Sequence, residues 1–269
     1  MTMNKFNFNR FGKVVVRDFH NTYSLFGMSM LIIMLIPAFV WLMGLAVNDS
    51  VVEVFNRRNF ISMAVYLTAA ISSMKIYNSC NLVGKGNYFA MLPASLCEKF
   101  SSMVLYCFVV CPLVVFVGSV AVDTILTLLP FGPYKEFLWQ VPDWMKSMGD
   151  ISYVFATSFS GFVLMTFEVF SVASLFILAN TIFKKNKFIK TVLWMMLIIF
   201  ALVLIIAPIM NHINWPENWN WLVKLAEWLG IKSQETFMHF IYWSRLLGNA
   251  VVTFIFSFIA YRRLKKMQY

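Results

Sequence analysis

Six apolar runs, each reaching or exceeding the roughly 20 residues a helix needs to cross the hydrocarbon core of a bilayer, dominate the chain. They lie near Ser24 to Val47, Phe60 to Ser79, Ser102 to Val122, Ser152 to Phe183, Thr191 to Met210 and Phe237 to Tyr261. With 60% of 269 residues hydrophobic and 13% charged, neither an ordinary water-soluble domain nor a disordered chain fits. The expected fold class is therefore all-α: a polytopic integral membrane protein with six transmembrane helices, in a single domain over residues 1–269. The second run is polar enough to need neighbouring helices. The fourth exceeds a perpendicular span, which predicts tilt or helical extension beyond the lipid.

Charge fixes the expected orientation. Lys5, Arg10, Lys13 and Arg17 precede the first span; Lys184, Lys185, Lys187 and Lys190 separate the fourth and fifth; Arg262, Arg263, Lys265 and Lys266 follow the sixth. The alternate loops carry acids that balance or exceed their bases, so both termini are expected in the cytoplasm. The basic N-terminal stretch leads into a full-length span without a small-residue cleavage pattern and does not read as a signal peptide. The net charge of +10 is thus mainly a topology signal, and nucleic acid is not an expected partner. Cys80 and Cys97 fall on the cytoplasmic side, with Cys107 and Cys111 inside the third span. Nothing in that spacing predicts a disulfide framework or a metal site.

Three segments outside the spans have their own patterns. In "NRFGKVVVRDFHNTY", Arg10, Lys13 and Arg17 share one helical face, and Phe11, Val14, Val15 and Phe19 gather around another. This predicts an interfacial helix over 4–22, its bases near anionic headgroups of the membrane lipid. Between the second and third spans, "GKGNYFAMLPASLCEKFSS" combines Gly84 and Gly86, which permit tight turns, with Pro93, which discourages helix through Leu92. Ser95 followed by Glu98 predicts a capping box at the start of the third span, so residues 80–101 form an ordered elbow on the cytoplasmic face. Between spans five and six, Asn214, Pro216 and Glu217 open a helix over 214–230. It carries an apolar stripe that includes Trp221 and Trp228 and stops at Gly230, a Trp-rich amphipathic helix for the outer headgroup layer.

Glu168 is the acid deepest within an apolar run, and Arg245 is its best partner. They lie 16 and 17 residues from Lys184 and Arg262, or about 24 and 26 Å along their helices. Asp123 competes for the same arginine. A structural salt bridge is the expectation for this set, ahead of proton coupling. No nucleophile with a placed base, no paired catalytic carboxylates and no metal-ligand spacing occurs, and "GKGN" lacks the spacing and the Ser or Thr of a P-loop. The chain is not expected to be an enzyme.

Read whole, the chain resembles the membrane permease of the type-2 ABC transporter family, in a small six-helix, Bacteroidota-like subgroup. The resemblance rests on the N-terminal amphipathic segment, "YFAMLPASLCEKF" (Tyr88 to Phe100) leading into the third span, the helical external insertion and the terminal "YRRLKKMQY". It implies that residues 80–101 hold a coupling helix that docks on a cytosolic ATPase, with Tyr88, Leu92, Glu98 and Lys99 contacting or orienting that partner. Arg10, Lys13 and Arg17 would supply secondary contacts. It further implies a bacterial inner membrane location and two permease halves, a homodimer or two related chains, on a cytosolic ABC ATPase dimer. ATP and Mg would be bound by that partner and no cofactor by this chain, with a lipid, peptide, antibiotic or other amphiphile exported. The alternative is a non-transporting tethering, immunity or regulatory subunit of the same architecture.

Overall fold

A computed structural model describes residues 6–46, 52–81, 93–130, 132–138, 159–212 and 234–267 of the chain. The described residues are helical apart from short connections. In chain order the helices are α1 (Phe8–Met34), α2 (Ile36–Ala46), α3 (Val54–Ile76), α4 (Leu96–Thr127), α5 (Phe159–Ile182), α6 (Lys187–His212) and α7 (Gln234–Met267), with a 3-10 turn at Asn78–Asn81. Helices α1 and α2 act as one unit, which gives six helical segments long and apolar enough to cross a membrane, as the six runs predict.

Asn7 starts α1 by accepting the N–H groups of Asn9 and Arg10 on its side-chain oxygen. The helix then runs to Met34 with no interruption at residues 22–24, where the sequence pattern divides an interfacial helix from the first span. One rod therefore covers both segments. Its polar residues Asp18 and Thr22 are buried against other helices, so the N-terminal segment is tied to the bundle over much of its length. The rod ends at Leu35 because Pro37 has no N–H to continue the ladder, and α2 resumes at once. A second irregularity lies in α4, where Leu105–Val110 forms a π-helical stretch just before Pro112. The missing N–H of that proline favours a widened turn.

The core lies where α1, α3, α4 and α5 meet. Phe26, Ala64, Ala69, Met103, Cys107, Val115, Ala173 and Ile177 are buried there. Fully buried Ala64, Ala69, Cys107 and Ala173 have small side chains that let the backbones approach, the usual way for helices to pack in lipid. Helix α7 lies along α5 and reaches the core through Ala260 and Leu264, while most of its apolar residues and those of α6 face outward.

At the end opposite the basic clusters, residues 132–138 fold back over α2 and α3. The Val52 N–H donates to the Pro133 carbonyl at 3.1 Å, and the Tyr134 hydroxyl to the Pro37 carbonyl at 2.8 Å, a carbonyl just past the helix break. The backbone approach is close enough to require glycine. A Cβ on Gly132 would collide with Trp41 Nε1, and one on Gly44 would sit 2.8 Å from Pro133 Cγ.

Candidate functional site

The basic end of the bundle is built around two buried carboxylates that the chain separates widely. The first is Glu98. Ser95 caps α4 by accepting the Glu98 N–H at 3.3 Å, and Glu98 Oε2 accepts the Ser95 N–H at 2.8 Å, the capping box expected from the sequence. Its other oxygen reaches across to α1. Oε1 accepts the Asn7 N–H at 2.8 Å and Arg10 Nη2 at 3.0 Å. One fully buried carboxylate thus caps two helices at once, and charge-assisted bonds of this kind are the strong ones.

The second is Asp18, which the sequence pattern did not single out because it sits among bases on a helix read as interfacial. Its carboxylate accepts the Tyr77 hydroxyl at 2.9 Å, the Ser102 hydroxyl at 2.6 Å and Arg17 Nε at 2.9 Å. Tyr106 donates to the Val15 carbonyl at 2.8 Å beside it. Helices α1, the end of α3 and α4 therefore converge on one charge.

Asn180 of α5 extends the joint to the end of α3. Its amide donates to the carbonyls of Ser73 at 2.9 Å and Tyr77 at 3.0 Å, each of which also accepts a backbone N–H, from Tyr77 and Cys80 respectively. Lys187, at the start of α6, donates to Asn180 Oδ1 and to the Asn78 carbonyl, both at 2.6 Å. Read from sequence as a topology charge, Lys187 is a buried clamp. Burial pushes the neighbouring Cys80 thiol up to about 12, only partly offset by the charge of Lys187.

Of the residues expected to contact or orient a cytosolic partner, Glu98 and Lys99 are buried, Glu98 against the start of α1. Lys13 is exposed, and Arg10 and Arg17 are partly exposed with their guanidinium groups turned to Glu98 and Asp18. Tyr88, Leu92 and the external-helix residues Trp221 and Trp228 lie outside the described residues.

Deeper in the bundle, Arg245 Nη2 and Glu168 Oε1 pair at 2.5 Å, as their matched depth predicts, and the Tyr66 hydroxyl donates to Glu168 Oε2 at 2.6 Å. The pair is less enclosed than expected, with 57% of the Arg245 side chain and 22% of that of Glu168 exposed. Asp123 does not compete for Arg245. It pairs with Arg57, whose guanidinium meets both carboxylate oxygens, the Thr127 hydroxyl at 2.9 Å and the Glu136 carbonyl at 2.6 Å, and lies 4.0 Å from the centre of the Tyr134 ring. Both members are 1% exposed. Arg57 reads from sequence as a loop charge because the second apolar run begins at Phe60, whereas α3 begins at Val54 and carries Arg57 inward.

Among the described residues no group of His, Cys, Asp and Glu is placed to hold a metal ion. The buried groups Glu98, Asp18, Asn180 and Lys187 bond to one another's helices and to helix ends, and so tie α1, α3, α4, α5 and α6 together. Comparison with protein-family models, with curated proteins and with solved structures found no match to this chain.

Proposed function

We propose that this chain is the membrane-spanning permease subunit of an ATP-driven type-2 ABC exporter. In this reading it lies in the inner membrane with both termini in the cytoplasm and pairs with a second permease half. ATP and Mg are bound and hydrolysed by a cytosolic ATPase dimer. The observation that carries the reading is the joint at Glu98. The elbow passes directly into a helix start that is locked by charge-assisted bonds to the start of α1. Asp18 then ties α1 to α3 and α4 one layer deeper. A push on the elbow is thereby delivered to three helices together, which a coupling device needs if ATPase binding is to favour one arrangement over another.

The test is co-purification and ATPase stimulation in lipid with candidate P-loop ATPases, followed by ATP-dependent efflux from vesicles. Leu92→Asp should weaken ATPase association while insertion of all six spans is retained, because it introduces an unpaired charge where an apolar contact is expected. Unchanged binding and turnover in that variant would refute the coupling role and leave the elbow as a structural cap on a non-transporting subunit.

A further inference from the structure

At the basic end, between the last turn of α3 and the start of α6, a cleft of about 760 Å³ opens beside the 183–186 connection. That volume is in the range of small-molecule sites. Its lining has two characters. Ile71, Met74, Phe188 and Ile189 supply an apolar wall, and Phe188 is held in place by stacking on Phe176 with ring centres 5.9 Å apart. Lys75, Lys184 and Lys185 line the rest, all three exposed, and no acidic residue is among the described lining residues. Asn186 adopts a left-handed backbone with φ of 50°, which Asn tolerates better than most residues, and so turns the chain sharply between the two lysines and α6. Lys187, on the same connection, is spent on Asn180 and Asn78 and takes no part in ligand charge.

The described carboxylates nearest in fold position are committed elsewhere, Asp18 to Arg17, Tyr77 and Ser102, and Glu98 to Arg10 and two N–H groups. Three cations therefore face a cleft that begins where two membrane-spanning helices end, the depth of lipid headgroups. An inorganic anion would leave the apolar wall unused, and an uncharged lipid would leave the lysines unpaired. We propose that this cleft is a binding site for an anionic glycerophospholipid, its phosphate held by Lys75, Lys184 and Lys185 and its upper acyl chain lying on Met74, Phe188 and Ile189. This assignment is independent of the transport reading.

The test is native mass spectrometry of the full chain released from detergent with phosphatidylglycerol or phosphatidylcholine of identical acyl chains. Each lysine near a headgroup contributes about fivefold to anionic lipid binding, so a preference of about a hundredfold for one phosphatidylglycerol is expected. K75Q/K184Q/K185Q should reduce it to a few-fold. R262Q/R263Q/K265Q, which removes the same charge from the end of α7, should leave it intact. Lys185→Glu, a single exposed change tolerated by folding, should lower it by about 25-fold, so the assignment is testable even if the triple variant fails to fold. Equal loss in the two triple variants would overturn the proposal in favour of a diffuse basic surface. Displacement by soluble glycerol phosphate at the concentration of the lipid would overturn it in favour of a free-phosphate site. A site triple that keeps its lipid preference but loses a co-purifying protein would overturn it in favour of a protein contact.

Discussion

Glu98→Ala removes a single acceptor on which the start of two helices depends, and its effect can be worked from the bonds it makes. Two backbone donors, Asn7 and Ser95, each bond to the charged carboxylate at 2.8 Å. Bonds to charged groups contribute about 1.5–3 kcal/mol each, and the low end applies because water can enter once the side chain is cut back. That gives about 3 kcal/mol. Arg10, with 32% of its side chain exposed, adds about 0.5 kcal/mol after solvent screening. A total of about 3.5 kcal/mol corresponds to roughly 300-fold in a local opening equilibrium. Hydrogen exchange of the full chain in lipid nanodiscs reads this directly. Amides in residues 7–13 and 95–99 should exchange about 300-fold faster, while those in the middle of α3 stay protected. Glu98→Gln keeps a neutral oxygen acceptor and should fall near half that free energy, roughly 20-fold. Less than about fivefold acceleration in Glu98→Ala would mean that the two helix starts are held by packing, and the reasoning from hydrogen bonds would be refuted.

Arg57→Met alone should cost about 3–5 kcal/mol because it leaves Asp123 buried without its partner, whereas R57M/D123L should recover much of the loss in thermal unfolding in detergent. A double variant no more stable than the single one would contradict this. Charge reversal of Glu168 or Arg245 should lower folded yield, and the double reversal should restore part of it, with a coupling of about 1 kcal/mol; strictly additive losses would disprove the pair. For Cys80, a value raised from 9.0 to about 12 leaves on the order of one thiol in 10⁴ ionised near pH 7.5. Maleimide should therefore label exposed Cys97 first and Cys80 only on denaturation. The folded state holds the Cys80 proton more tightly than the unfolded chain, so its contribution to stability is complete below about pH 9 and is lost as pH rises towards 12. Unfolding insensitive to pH across that window would count against the buried thiol.

The parts legible in the sequence are those fixed by spacing along one helix. Six spans follow from run length, and the Ser95 and Glu98 cap follows from a separation of three residues. Glu168 and Arg245 could be matched because membrane depth is a coordinate that the chain itself supplies. What escaped was the choice of neighbour. The second half of the Glu98 interaction comes from Asn7, 91 residues away, and Arg57 finds Asp123 across 66 residues. Periodicity tells which face of a helix is polar, but not that the Asp18 face meets a tyrosine and a serine from two other helices. Lys187 shows the limit of charge counting, since a lysine in a basic cluster contributes to orientation whether its ammonium group is in solvent or buried against carbonyls.

The π-helical stretch at Leu105–Val110 has a consequence for how α4 faces its neighbours. A regular α-helix advances about 100° per residue, so the 25 residues from Glu98 to Asp123 would bring both carboxylates to within about 20° of one side. Yet Glu98 is bound by α1 and Asp123 by the start of α3. A π turn accommodates one extra residue, which sets the two ends of α4 out of phase by roughly 100°. The helix is in effect a screw cut in two sections, with its thread offset at the wide turn. Deleting one residue from Leu105–Val110 would remove the wide turn yet leave the two sections in the same phase, so Glu98 would keep its grip on α1 and Asp123 its grip on Arg57, whereas a deletion elsewhere in α4 would turn one of them away by about 100°.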